Sequence, residues 1–151
     1  MDSLKERLRN DLTASMRARD ELRMSTLRMV LTTITTSEVA GATARELSDS
    51  EVLAVLTKEA KKRHEAADAF RYGGRNDRAE REEAEAGVIA EYLPAPLSDD
   101  ELVAMVDAAV AETGASSPRE MGAVMKVLQP RTAGRADGAR VAAAVRTRLN
   151  A

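Results

Sequence analysis

Residues 48–70 read SDSEVLAVLTKEAKKRHEAADAF, and this stretch decides the fold class. Ser48 and Glu51 stand at the S-x-x-E spacing of a capping box, in which the serine hydroxyl accepts from a free backbone N–H and the glutamate reaches back. Behind them Val52, Leu53, Leu56, Ala60, Ala67 and Phe70 form an apolar line at helical spacing, with charged residues between. No glycine or proline interrupts the run. The pattern predicts one helix to about Phe70, stopped by Tyr72-Gly73-Gly74, with Gly73 suited to the left-handed position past the last turn.

The same box occurs at Ser3–Glu6, Ser98–Glu101 and Ser117–Glu120, each time opening an amphipathic run. Upstream, Leu4, Leu8, Leu12 and Met16 predict a first helix to about Ala18. The stripe breaks at Arg19-Asp20-Glu21, where Asp20 is placed to cap a second helix. That helix carries Leu22, Leu27, Val30, Leu31 and Ile34 and ends near Gly41, so a helical hairpin is expected rather than one long helix.

Downstream, a heavily charged fourth helix is expected from about Asn76 to Tyr92, burying a thin stripe of Ala84, Val88 and Ile89. Leu93-Pro94-Ala95-Pro96-Leu97 then forbids helix continuation and marks a domain boundary. Beyond it, Ser98 opens a helix to about Glu112 with Leu102, Val106, Ala109 and Val110 inward. Ser117 opens a short helix with Pro118 in its first position, an apolar face of Met121, Val124, Met125 and Leu128, and Pro130 closing it. A last helix carries Val141, Val145 and Leu149. The expectation is an all-α chain, with an N-terminal four-helix domain over residues 1–93 and a small three-helix domain over residues 97–151.

The inventory narrows the chemistry. Phe70, Tyr72 and Tyr92 are the only aromatic residues, so the core must come from Leu, Val, Ile, Met and Ala. There is no cysteine, which removes thiolate nucleophiles, disulfides and cysteine metal sites. His64 is the single histidine, and with Asp68 one turn on it makes at most a weak two-ligand site; a solvated histidine on a charged face is expected, and neither a metal nor a cofactor. G-x-S-x-G, the P-loop and G-x-G-x-x-G are all absent. Lys58, Lys61, Lys62 and Arg63 are balanced by Glu59, Glu65 and Asp68 one turn away. The amphipathic N-terminus lacks the apolar run of a signal peptide, and no stretch approaches the ~20 apolar residues of a membrane span, so a cytoplasmic protein without a membrane partner is expected.

Charge is unevenly distributed near the C-terminus. Residues 97–112 hold five acids and no base; residues 113–151 hold seven bases against two acids, net +5. A glycine-flanked basic loop opening onto a helix N-terminus suits phosphate-backbone contact, with guanidinium groups and free N–H groups acting together. The candidate nucleic-acid-binding residues are Lys126, Arg131, Arg135 and Arg140. With no aromatic nearby, such contact would follow shape and phosphate, not base identity.

Leu27-Arg28-Met29, Glu91-Tyr92-Leu93-Pro94, Met121-Gly122-Ala123-Val124-Met125-Lys126 and Gly134-Arg135-Ala136-Asp137-Gly138, in that order, resemble the YqeY family, stand-alone relatives of the C-terminal tail of GatB, a subunit of the tRNA-dependent Asp/Glu amidotransferase. The resemblance covers essentially the whole chain. It implies kinship with the part of GatB associated with tRNA contact. The amidotransferase chemistry of the larger enzyme lies in a kinase-like cradle and a separate amidase subunit with a Ser/Ser/Lys centre, neither of which is present in this sequence. The residues that carry the resemblance also have structural readings. Gly122 is expected to permit close helix packing, Asp137 to cap the last helix, and Met121 and Met125 to be core.

The leading expectation is therefore a non-catalytic accessory module binding tRNA or RNA, beside an amidotransferase or another protein partner. The alternative is a helical protein-interaction module. A third reading follows from the label the family carries, a carbon–nitrogen ligase with glutamine as amide donor; no residue set in the chain supplies that chemistry, and no catalytic residue is expected.

Overall fold

The computed structural model describes residues 1–151 as seven α-helices and no strand: α1 Leu4–Arg17, α2 Glu21–Glu38, α3 Asp49–Tyr72, α4 Asn76–Ala90, α5 Asp99–Thr113, α6 Met121–Thr132 and α7 Gly138–Leu149. A single 3₁₀ turn, Pro118–Glu120, precedes α6. Two compact units are present, Met1–Leu93 and Pro94–Ala151.

The helix starts follow from local chemistry. Ser3, Ser48 and Ser98 each accept from the backbone N–H three residues on, at 3.1–3.2 Å. At Ser117 it is the Glu120 carboxylate that accepts, from the backbone N–H groups of Ser116 and Ser117. Asp20 caps α2 through Arg23 N at 3.1 Å, and α1 and α2 form a hairpin. The turn between them forces Arg19 to φ +56°, the one non-glycine residue in the left-handed region.

Two helix ends differ from the sequence expectation. The left-handed residue after α3 is Gly74, at φ +77°, not Gly73, which has φ −83° and donates back to Ala69 O to close the last turn. Pro130 does not close its helix. It lies in the last turn of α6, where its missing N–H costs one bond, and Ala133 N still reaches Gln129 O at 3.1 Å.

The first unit packs Leu8 of α1, Leu27, Val30 and Ile34 of α2, Val52, Leu56 and Ala60 of α3, and Val88 and Ile89 of α4, with Leu47 and Tyr92 closing the ends. Each large aliphatic buried here contributes about 1.5–3 kcal/mol. Two polar ties accompany this core. Lys5 Nζ meets Glu38 Oε1 at 2.6 Å, both residues buried, while the other oxygen of Glu38 accepts from Leu47 N at 3.0 Å. Tyr92 donates to Asp11 Oδ2 at 2.5 Å under the guanidinium of Arg7, and burial together with the Asp11 carboxylate pushes its hydroxyl up to about 12.

The second unit packs Leu97, Leu102, Val106, Ala109, Val110, Val124, Leu128, Val141, Val145 and Leu149, with Met121 and Met125 partly buried against them. Its entry segment and its late loop are joined: Leu97 N donates to Arg135 O at 2.9 Å.

Candidate nucleic-acid interface

The basic segment of the second unit lies on α6, α7 and the loop between them. That loop turns through Gly134, at φ +75°, where only glycine is unstrained. Arg135 N and Ala136 N both donate to Thr132 O, and Thr132 is itself buried. The loop is therefore an ordered turn, and it carries Arg135, with Arg131 in the last turn of α6 and Arg140 in the first turn of α7.

The basic side chains of this segment lie along the surface, paired with the unit's own acids. Arg131 grips Glu112 with two parallel bonds, 2.8 and 3.0 Å. Arg135 donates to Ala95 O at 2.9 Å and to Glu101 Oε2 at 3.1 Å. Arg140 donates to Leu97 O at 2.9 Å and to Asp99 Oδ1 at 2.7 Å. Arg148, outside the predicted set, meets Asp107 at 2.8 Å. The bond from Arg131 holds the Glu112 carboxyl below its usual range, and Arg131 is held correspondingly more firmly protonated. Glu101 is lowered mainly by Ser98 and additionally by Arg135.

The acidic run and the basic run of the sequence thus face each other across one three-helix unit. Residues 94–151 contain seven acids and seven bases, so the net charge of the unit is zero. Of the four predicted site residues, three are engaged in exposed ion pairs with the unit's own acids. Lys126 alone is exposed and unpaired. The sequence reading did not single out Arg119 or Arg146, which are also exposed and form no ion pair. Arg119 stands on the 3₁₀ turn and Lys126 on α6, which follows it directly. Position relative to α5 was the missing signal, and spacing along the chain does not supply it.

Two further elements of the expected interface have structural roles. Asp137 Oδ1 accepts from Arg140 N at 3.0 Å, so the N-terminus of α7 already holds a carboxylate. Gly122 is not a packing glycine. A Cβ built there meets nothing within 4 Å, and the residue is exposed on α6. His64 lies in the first unit, exposed, with Nδ1 2.9 Å from Glu83.

Comparison with known proteins gives a consistent set. A family model described as "Yqey-like protein" matches residues 5–149. A protein of Clavispora lusitaniae named "Altered inheritance of mitochondria protein 41, mitochondrial" is 33% identical over 95 residues, covering 62% of this chain and 54% of that protein. An uncharacterised protein of Schizosaccharomyces pombe is 36% identical over 88 residues, covering 58% of this chain and 69% of that protein. The matched part is thus about half the length of the first relative and about two-thirds of the second. No helix is long and apolar enough to cross a membrane.

Proposed function

This chain belongs to the YqeY family, and from that premise we propose that it is a non-catalytic accessory module that binds tRNA or a related RNA through the cations its fold leaves free. The observation that carries the reading is the division of labour among the seven bases of the second unit. Arg131, Arg135, Arg140 and Arg148 are spent on the unit's own carboxylates and carbonyls. Arg119, Lys126 and Arg146 stand outward without partners. The family resemblance to the GatB tail supplies the ligand class.

Three phosphate contacts predict a modest, salt-steep affinity, falling about 20- to 40-fold between 50 and 200 mM salt. The test is tRNA binding by fluorescence anisotropy at those two salt concentrations, for wild type and for Lys126→Glu. Weaker binding and a shallower salt slope in the variant support the proposal. Binding that is absent in wild type, or indifferent to the reversal, removes it. Glutamine-dependent amidation of mischarged tRNA by the purified chain is expected to be absent. A cytoplasmic location belongs to the same proposal, and imaging of the tagged protein tests it against the mitochondrial location named for the Clavispora relative.

A second reading, docking on a protein partner, is favoured by Gly122. Gly122 is the second residue of α6, where glycine costs less than the roughly 1 kcal/mol it costs relative to alanine in a helix interior, and nothing inside this chain occupies the space a Cβ would take. Close approach of a partner backbone to the outer face of α6 accounts for that cost. A pull-down in which Gly122→Leu loses a stoichiometric partner retained by wild type supports this reading, and recovery of the same proteins by both opposes it.

A further inference from the structure

The helical hairpin of α3 and α4 is built in three layers of different chemistry. Its base belongs to the apolar core, which takes Val52, Leu56 and Ala60 from α3 and Val88 and Ile89 from α4. Beyond the base lies an ionic layer. Arg63 of α3 faces Glu59 at 3.7 Å on its own helix and Glu82 and Glu85 of α4 at 3.4 and 3.7 Å. Glu59 is almost fully buried, and the side chains of Arg63, Glu82 and Glu85 are at most a quarter exposed. Beyond this layer, over residues 64–80, the only buried apolar side chains are Ala67 and Ala79.

The ionic layer is poorly satisfied. Its Arg63 contacts are long against the 2.7–2.9 Å typical of charge-assisted hydrogen bonds. Arg63 Nε and Glu82 Oε2 are buried and make no hydrogen bond. Charges removed from water with such geometry do not recover their desolvation cost. The tip adds little of its own. It is held by exposed pairs, His64 and Arg71 to Glu83, Arg71 to Asp68 and Arg75 to Asp77, and by the guanidinium of Arg78 5.9 Å from the Phe70 ring. Exposed pairs of this kind contribute little, and two alanines bury little area against the backbone entropy of seventeen ordered residues.

We propose that residues 64–80 form a separately opening arm, which unzips from the Gly73-Gly74 turn down to the Arg63 layer while the core beneath stays folded. The ionic layer is the break point because it interrupts the continuous apolar contact that would otherwise couple tip and core into one cooperative unit. Opening exposes the inner face of the hairpin at Ala67 and Ala79.

Amide hydrogen exchange on the full chain, read by mass spectrometry, tests the arm. Amides of residues 66–79 are expected to exchange at least about 100-fold faster than those of Leu27–Ile34 and Val52–Leu56. Arg63→Met alone leaves the Glu82 carboxylate without a cation, while Glu59 keeps Lys62 and Glu85 keeps Arg81, and should speed exchange in the arm further. Arg63→Met with Glu82→Leu replaces the break by apolar contact and should slow the arm by about tenfold or more, with core exchange little changed. Limited trypsin digestion gives an independent readout: cleavage after Arg71, Arg75 or Arg78 in wild type, suppressed in the double variant. Arm and core exchanging at one common rate would overturn the proposal. So would a double variant whose arm opens as fast as the wild type. The double variant keeps the test decisive if Arg63→Met alone fails to fold.

Discussion

The guanidinium of Arg131 holds the carboxylate of Glu112 in a two-pronged pair, at 2.8 and 3.0 Å, across nineteen residues of sequence. The pair joins the last turn of α6 to the end of α5 at the surface, each side chain about half exposed, and its two-pronged geometry is the kind for which an exposed pair can contribute measurably. It predicts a coupling that two single substitutions cannot show. Arg131→Glu should lower the unfolding midpoint, Glu112→Arg should do the same, and the double exchange should recover most of the loss. Urea unfolding of the four proteins measures the cycle. Additive losses in the double exchange would mean that the pair is incidental.

Arg19 predicts a gain in stability. At φ +56° an L-residue is strained by about 1–2 kcal/mol, and Arg19 is exposed, so its side chain anchors nothing in the core. Arg19→Gly removes the strain but loosens the unfolded chain. The expected net change lies between zero and about +1 kcal/mol. Arg19→Val should be worse than Arg19→Gly by at least about 1 kcal/mol. Chemical denaturation of the two variants gives the order.

Gly122 separates the packing role expected from the sequence from the open surface found. A packing glycine would make Gly122→Ala destabilising. With open space around the new Cβ, Gly122→Ala should instead stabilise by up to about 1 kcal/mol through helix propensity. A lowered thermal midpoint would contradict the open position.

Acid should weaken the first unit through Glu51. Its hydrogen bond from Arg45 brings the carboxyl down to about 2. In the unfolded chain the group titrates near its ordinary value of about 4.3. A folded-state value below the unfolded one stabilises above the unfolded value, and that contribution is lost as the pH falls from about 4.3 to about 2. Glu38, lowered chiefly by Lys5 and next by Leu47 N–H, acts in the same direction. Wild type should therefore lose stability over this range more steeply than Glu51→Gln, measured by denaturant unfolding at stepped pH. Equal slopes would show that the Arg45 pair contributes nothing in solution.

The parts of this molecule legible in the sequence are those governed by neighbours along the chain. Helical spacing places Leu8, Val30, Leu56, Val106 and Val145 inside, and they are buried. Asp20 and Asp137 read as caps because a cap acts three residues away, and both accept the expected bonds. The offset of one residue at Gly73-Gly74 is the ordinary uncertainty of a helix end. What the sequence conceals is set by contacts between distant residues. Nothing near Lys5 in the sequence marks it as buried, yet it lies against Glu38, thirty-three residues on. Arg135 and Arg140 read as free cations, yet their partners lie on the entry segment and at the start of α5, some forty residues earlier. The acid-rich and base-rich runs, seen separately, resemble an interaction surface. Folded together, they neutralise each other.

Equilibrium tRNA binding by two multiple variants separates the cations of the second unit that pair with its own acids from those proposed to bind RNA. Glu112→Gln with Arg131→Gln removes a brace while keeping its shape and hydrogen-bonding capacity. Arg119→Ala with Lys126→Ala and Arg146→Ala removes the outward set. Affinity should be unchanged in the first and binding lost at 200 mM salt in the second, with both proteins folded by circular dichroism. Binding abolished in the first and retained in the second would contradict the RNA-binding proposal.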